Sequence, residues 1–170
     1  QVNLICPNSQ CPARTMRHLT YFVSNIAFDI EGLSEKVLEK LENAGLIQNE
    51  VDILNLSKDE VITLPGFGEK SADNLITNIQ KAKTIEFSRF IQALGIQYVG
   101  EQTAKALAIR FESLEDLMQA SKEAFEAIED IGEVVATSLT EFFHDESNQV
   151  KIHDMLESGV TIQYPKQVQV

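Results

Sequence analysis

Four short segments share a pattern that could hold an anion with backbone groups. They are Ile30-Glu31-Gly32-Leu33-Ser34-Glu35, Leu64-Pro65-Gly66-Phe67-Gly68-Glu69, Ile96-Gln97-Tyr98-Val99-Gly100-Glu101 and Ile128-Glu129-Asp130-Ile131-Gly132-Glu133. In each, two apolar residues bracket a turn, a Gly or Ser follows, and a Glu opens the next helix. The first amides of a helix have no internal partner and point outward with the positive end of the dipole. Glycine leaves them uncovered, so a phosphate oxygen can approach directly. The Glu suits the dipole and is read as a helix stabiliser, because a carboxylate aimed at a phosphate would repel it. The candidate contacts are Gly32, Ser34, Gly66, Gly68, Gly100 and Gly132, with Lys70 and Thr103 just inside their helices. Lys36, Arg89, Lys105 and Arg14 are auxiliary candidates whose competing reading is a solvated helix face.

The other residues with distinctive chemistry are Cys6 and Cys11, in Cys6-Pro7-Asn8-Ser9-Gln10-Cys11-Pro12-Ala13-Arg14. Structural zinc takes four ligands, commonly as two close pairs, and this chain holds one pair. His18 could add a ligand, although a surface position on a helix suits it as well. A disulfide is the competing reading, which a reducing compartment disfavours.

The elements that must position these residues are helices. Apolar residues recur three and four apart over most of the chain, and four Pro with eight Gly are too few for an all-β sandwich. Ser57 and Glu60 form a capping box, Ser34, Ser113 and Ser121 are further N-caps, and Gly45 and Gly159 suit left-handed helix ends. Each turn is followed by a pair of core positions: Leu38 and Leu41, Ala72 and Leu75, Ala104 and Leu107, Ala136 and Leu139. Counted at the Gly or Ser, the copies are 34, 32 and 32 residues apart. A longer repeat overlies this one. Asp52-Ile53-Leu54, Ser57-Lys58 and Gly68-Glu69 recur 64 positions later as Asp116-Leu117-Met118, Ser121-Lys122 and Gly132-Glu133. The expected fold is all-α, with four helix-turn-helix units in two paired bundles, 24–83 and 84–144. Tetratricopeptide and ankyrin signatures, which share a similar period, do not occur.

The 170 residues carry 26 acidic and 14 basic side chains, a net charge of -12. That excludes binding nucleic acid by a broad basic surface. It does not exclude a clamp of helix N-termini, which needs little side-chain charge. No apolar run approaches the roughly 20 residues of a membrane span, so the expectation is a cytoplasmic protein with no membrane partner.

The repeated unit resembles the helix-hairpin-helix motif of DNA-binding proteins, most closely at Leu64-Pro65-Gly66-Phe67-Gly68-Glu69-Lys70-Ser71-Ala72. In that family, paired motifs form a pseudo-two-fold bundle whose hairpins contact both strands across a minor groove without reading sequence. The cysteine pair comes first, then Phe28-Asp29-Ile30-Glu31-Gly32-Leu33, then four such units containing Phe90-Ile91-Gln92-Ala93-Leu94-Gly95-Ile96. That order resembles the C-terminal half of bacterial NAD-dependent DNA ligases over nearly the whole chain.

The resemblance implies that residues 1–23 are the second half of a four-cysteine zinc finger, with Cys6 and Cys11 as two zinc ligands and the other pair upstream. Residues 145–170 would hold a closing helix, near Gln149–Val160, and a linker towards a BRCT domain. The ligase reaction uses NAD to adenylate a lysine, passes AMP to a 5′-phosphate at a nick and seals it with magnesium. The Lys-x-Asp-Gly nucleophile motif is absent here, so NAD and magnesium belong to domains outside this chain, and the fragment alone is expected to be inactive. Its implied task is to grip nicked double-stranded DNA as a monomer during replication and repair. The alternatives are a non-catalytic junction-binding or nuclease-accessory module, a protein-interaction domain favoured by the acidity, and a glycosylase attacking through Lys70. The last lacks a well-matched partner Asp in Glu86-Phe87-Ser88.

Overall fold

The computed structural model describes residues 12–165. Among them the chain forms eleven helices and two short strands. In order these are α1 (Pro12–Val23), α2 (Glu35–Asn43), α3 (Glu50–Leu54), α4 (Lys58–Val61), α5 (Glu69–Ala82), β1 (Thr84–Glu86), α6 (Phe87–Ala93), α7 (Glu101–Arg110), α8 (Leu114–Gln119), α9 (Lys122–Glu126), α10 (Glu133–His144), α11 (Glu146–Glu157) and β2 (Thr161–Gln163). No described helix is long and apolar enough to cross a membrane.

Local chemistry sets the helix ends. Ser57 Oγ accepts from the Glu60 amide at 3.2 Å while the Ser57 amide donates to Glu60 Oε1 at 3.0 Å, closing the capping box before α4. Ser34, Ser113 and Ser121 cap α2, α8 and α9 in one direction only, each side chain accepting from a first-turn amide. Gly45 and Gly159 end α2 and α11 with φ of 78° and 104°, a left-handed backbone that glycine adopts without steric cost.

Each sequence copy becomes two helices joined by a turn: α1 with α2, α4 with α5, α6 with α7, and α9 with α10. The short helices α3 and α8, 64 positions apart in sequence, precede the second and fourth units. The core positions after each turn, from Leu38 and Leu41 to Ala136 and Leu139, are buried. Burying each leucine side chain contributes about 1.5–3 kcal/mol. The core runs on between the pairs: Phe28, after α1, lies 4.5 Å from Phe22 and 6.3 Å from Phe90 of α6, centroid to centroid.

The all-helical reading did not contain β1 and β2. They pair in parallel, Thr84 with Thr161, Ile85 with Ile162 and Glu86 with Gln163. Three-residue strands carry too little alternation to register against a helical background. Their effect is to return the chain, after α11, to the junction between the second and third units. There the Thr161 amide donates to the Lys83 carbonyl at 2.7 Å. Tyr164, just beyond, packs edge-on against Phe87 at 4.8 Å, and its hydroxyl accepts from the Leu114 amide at 3.2 Å.

Candidate nucleic-acid interface

The four turns have one geometry. The amide of the fourth residue donates to the carbonyl of the first: Leu33 to Ile30 at 3.4 Å, and Phe67 to Leu64, Val99 to Ile96 and Ile131 to Ile128 at 3.1 Å each. The third residue is left-handed every time, with φ of 94° at Gly32, 90° at Gly66, 70° at Tyr98 and 77° at Asp130. That is the type II requirement for positive φ at this position. Among the bracketing residues, Ile30, Leu33, Leu64, Ile96, Val99 and Ile131 are buried, while Phe67 and Ile128 are half-buried. The turns are thereby fastened to the core at both ends.

Tertiary bonds brace the tips. Asn78 Nδ2 of α5 donates to the Glu31 carbonyl in the first turn at 3.0 Å, and Lys40 Nζ of α2 donates to the Pro65 carbonyl in the second at 3.3 Å. Each turn of this pair is therefore held by the helix that follows the other. In the third turn Ser138 Oγ of α10 donates to the Gln97 carbonyl at 2.7 Å. Asn78, Lys40 and Ser138 were not singled out from sequence, because nothing local marks them.

The helix entries divide into two kinds. The N-caps Ser34, Asn49, Ser57, Ser113, Ser121 and Asp145 each place a side-chain oxygen on an amide of the first turn. Glu86 before α6 supplies none, and neither do the three glycines Gly68, Gly100 and Gly132, which open α5, α7 and α10. Their φ values of -110°, -104° and -95° are open to any residue. Among the described residues, a Cβ built at any of the three meets no atom within 4 Å. Neither backbone strain nor internal packing calls for glycine here. Gly32 and Gly66 differ, since their positive φ favours glycine.

Lys70 and Lys36 are exposed near the starts of α5 and α2, and Thr103 is half-buried in the first turn of α7. Arg89 is turned inward, donating to the Asn25 carbonyl at 2.8 Å, and Lys105 pairs with Glu101 at 3.1 Å. Cys6, Cys11 and the side chain of Arg14 lie outside the described residues.

The acidic residues at the hairpins are partly neutralised. Lys58 lies 3.1 Å from Glu69 and 3.2 Å from Asp73; hydrogen bonds to Glu69 and then Asp73 hold its ammonium above the usual lysine value. Lys122 lies 3.6 Å from Glu133 and 4.0 Å from Glu126. The second hairpin has Lys40 on its Pro65 carbonyl besides the Lys58 pairs, whereas the fourth has the Lys122 pairs and carries Glu129 and Asp130 in the turn itself.

A second polar cluster is structural. Glu50, at the start of α3, is 2% exposed; its carboxylate takes a hydrogen bond from His18 Nε2 of α1 and lies 3.4 Å from Lys151 of α11. Burial alone would raise its pKa, but the His18 bond and charge, aided by Lys151, outweigh burial and lower it to about 2. His18, considered above as a metal ligand, is thus hydrogen-bonded to the buried Glu50 carboxylate. Gly95 beside it has φ 69°, and a Cβ there would come within 3.0 Å of the His18 ring.

Repeated turns on buried anchors, three of them followed by glycine-capped helix N-termini, make four helix-hairpin-helix units in tandem. Residues 26–81 match the family model of a SAM-like helix-hairpin-helix tandem, and residues 89–152 match that of a helix-hairpin-helix motif. Over nearly its whole length the chain is homologous to DNA ligases of bacteria. It is 42% identical over 99% of its length to the DNA ligase of Bacillus subtilis, 43% over 95% to that of Chlamydia felis, and 42% over 94% to that of Geobacter metallireducens. It spans about a quarter of the length of these curated relatives, 25%, 24% and 24% respectively.

Proposed function

We propose that this chain is the part of an NAD-dependent DNA ligase that grips duplex DNA at a nick, laying its hairpins on the backbone phosphates across a minor groove. The observation that carries the reading is the trio of glycine N-caps that the fold itself does not need. A phosphate oxygen must come within about 3 Å of an amide to be held, and a side chain at the cap would occupy that approach. Contacts to phosphate position a duplex without reading its sequence, so binding is sequence-independent. The chain acts as a monomer in this reading, and Cys6 and Cys11 contribute two thiolates to a zinc site. Adenylation of a lysine by NAD and magnesium-dependent sealing need residues this chain does not contain, since no Lys-x-Asp-Gly occurs in it.

The test is fluorescence anisotropy on a nicked duplex. Gly68→Asp and Gly100→Asp are expected to weaken binding at least tenfold with unchanged helicity and melting temperature. Unchanged affinity in both overturns the reading in favour of a protein-interaction domain, which the net charge of -12 would suit. The salt dependence is expected to be shallow, because backbone amides release few counterions. A protein making about 6–10 phosphate contacts with Lys and Arg would lose 10³–10⁵ in affinity between 50 and 200 mM salt.

A further inference from the structure

The third turn position is glycine in the first two hairpins and Asp130 in the fourth, residue types that tolerate a left-handed backbone. In the third it is Tyr98, with φ 70°, a conformation that an aromatic residue rarely adopts. The fold gains little from this side chain. Its neighbours Ile96 and Val99 are buried, whereas Tyr98 is 60% exposed. Among the described residues its ring has no aromatic partner and its hydroxyl no hydrogen bond. The tip cannot relax by sliding, because the adjoining Gln97 carbonyl is held by Ser138 at 2.7 Å. Two residues further on is Gly100, whose helix entry is bare.

We propose that Tyr98 is a minor-groove contact: its ring packs against deoxyribose and base edges while the amides of the third hairpin hold the adjacent phosphate. This deepens the DNA-binding reading above and rests on it. An amphipathic aromatic suits the place, having an apolar face for the sugar and a hydroxyl for the acceptors on the groove floor. Tyr98 assigns the third hairpin a role that the glycine-tipped hairpins cannot share. Because the contact is apolar, it adds affinity without releasing counterions, so it should lower the dissociation constant equally at all salt concentrations.

The experiment compares wild type, Tyr98→Gly, Tyr98→Ala and Gly68→Asp on one nicked duplex between 50 and 200 mM salt, with thermal melting of each protein. Tyr98→Gly is expected to melt at or above the wild-type temperature and to bind about tenfold more weakly, with an unchanged salt slope. Tyr98→Ala, which keeps the Cβ, should lose the same affinity without the gain in melting temperature. Wild-type affinity in Tyr98→Gly, with Gly68→Asp still weakened, overturns the Tyr98 contact and leaves the DNA-binding reading standing. A Tyr98→Gly protein that melts lower shows the ring to be structural and also overturns it. Absence of duplex binding by wild type overturns both.

Discussion

Lys58 of α4 reaches across the second hairpin to Glu69, the first residue of α5, with Nζ 3.1 Å from Oε2. Lys122 of α9 stands in the same relation to Glu133 of α10 at 3.6 Å, 64 residues later. This is the physical content of the long repeat, since Ser57-Lys58 and Gly68-Glu69 recur together because they meet. An exposed pair, screened by solvent, adds little to stability, so its main effect is local. It cancels a carboxylate beside amides that would have to attract phosphate.

Lys58→Gln is therefore expected to weaken binding to a nicked duplex about fivefold. Adding Glu69→Gln and Asp73→Asn to that variant should restore wild-type affinity, measured by anisotropy at low salt. If the triple variant stays weak, Lys58 touches DNA itself rather than shielding its neighbours.

The hairpins should not be equal. A Glu follows Gly68 and Gly132 alike, each paired with a lysine of the preceding helix, but Lys40 adds its ammonium at the Pro65 carbonyl of the second turn, whereas the fourth turn itself carries Glu129 and Asp130. Gly68→Asp should cost at least about tenfold in affinity and Gly132→Asp less than about threefold, since a phosphate is already disfavoured at the fourth turn. Equal losses in a side-by-side titration would contradict this ranking.

Glu50 sets an acid limit on stability. Its folded pKa of about 2 lies below its ordinary 4.5, so the ionised carboxylate stabilises the fold fully above pH 4.5 and loses that contribution as pH falls towards 2. A gap of this size corresponds to on the order of 3 kcal/mol. Glu50→Gln should lower stability at pH 7 and flatten its fall across that window, as read from urea unfolding at a series of pH values. A mutant curve parallel to wild type would show that other groups carry the acid transition.

Tyr164 fastens the returning tail. Tyr164→Ala removes the edge contact to Phe87 and the acceptor for the Leu114 amide, and should lower unfolding stability by about 2–4 kcal/mol. Tyr164→Phe, which keeps the ring, should cost about 1 kcal/mol. Equal losses from the two would mean that the hydroxyl, not the ring, holds the strap.

Much of the architecture was legible because its causes are local. Helix period, the Ser57–Glu60 box, the serine caps and the turn bonds all join residues three or four apart, and a fourfold repeat multiplies a weak signal. The candidate contacts could be placed at helix entries for the same reason. The sequence could not, however, separate the glycines by role. Gly32 and Gly66 are favoured by positive φ, whereas among the described residues nothing calls for glycine at Gly68, Gly100 and Gly132. Only dihedral angles and neighbours distinguish the two cases.

The sequence by itself determined the helices, the four turns and their order. The tertiary structure alone decided what holds the turns in place. Asn78 braces the Glu31 carbonyl across 47 positions, Ser138 braces Gln97 across 41, and Lys151 reaches Glu50 across 101. β2 returns to β1 in the same way. Contacts at such separations leave no periodic trace, because the meeting of their partners depends on how whole helices pack.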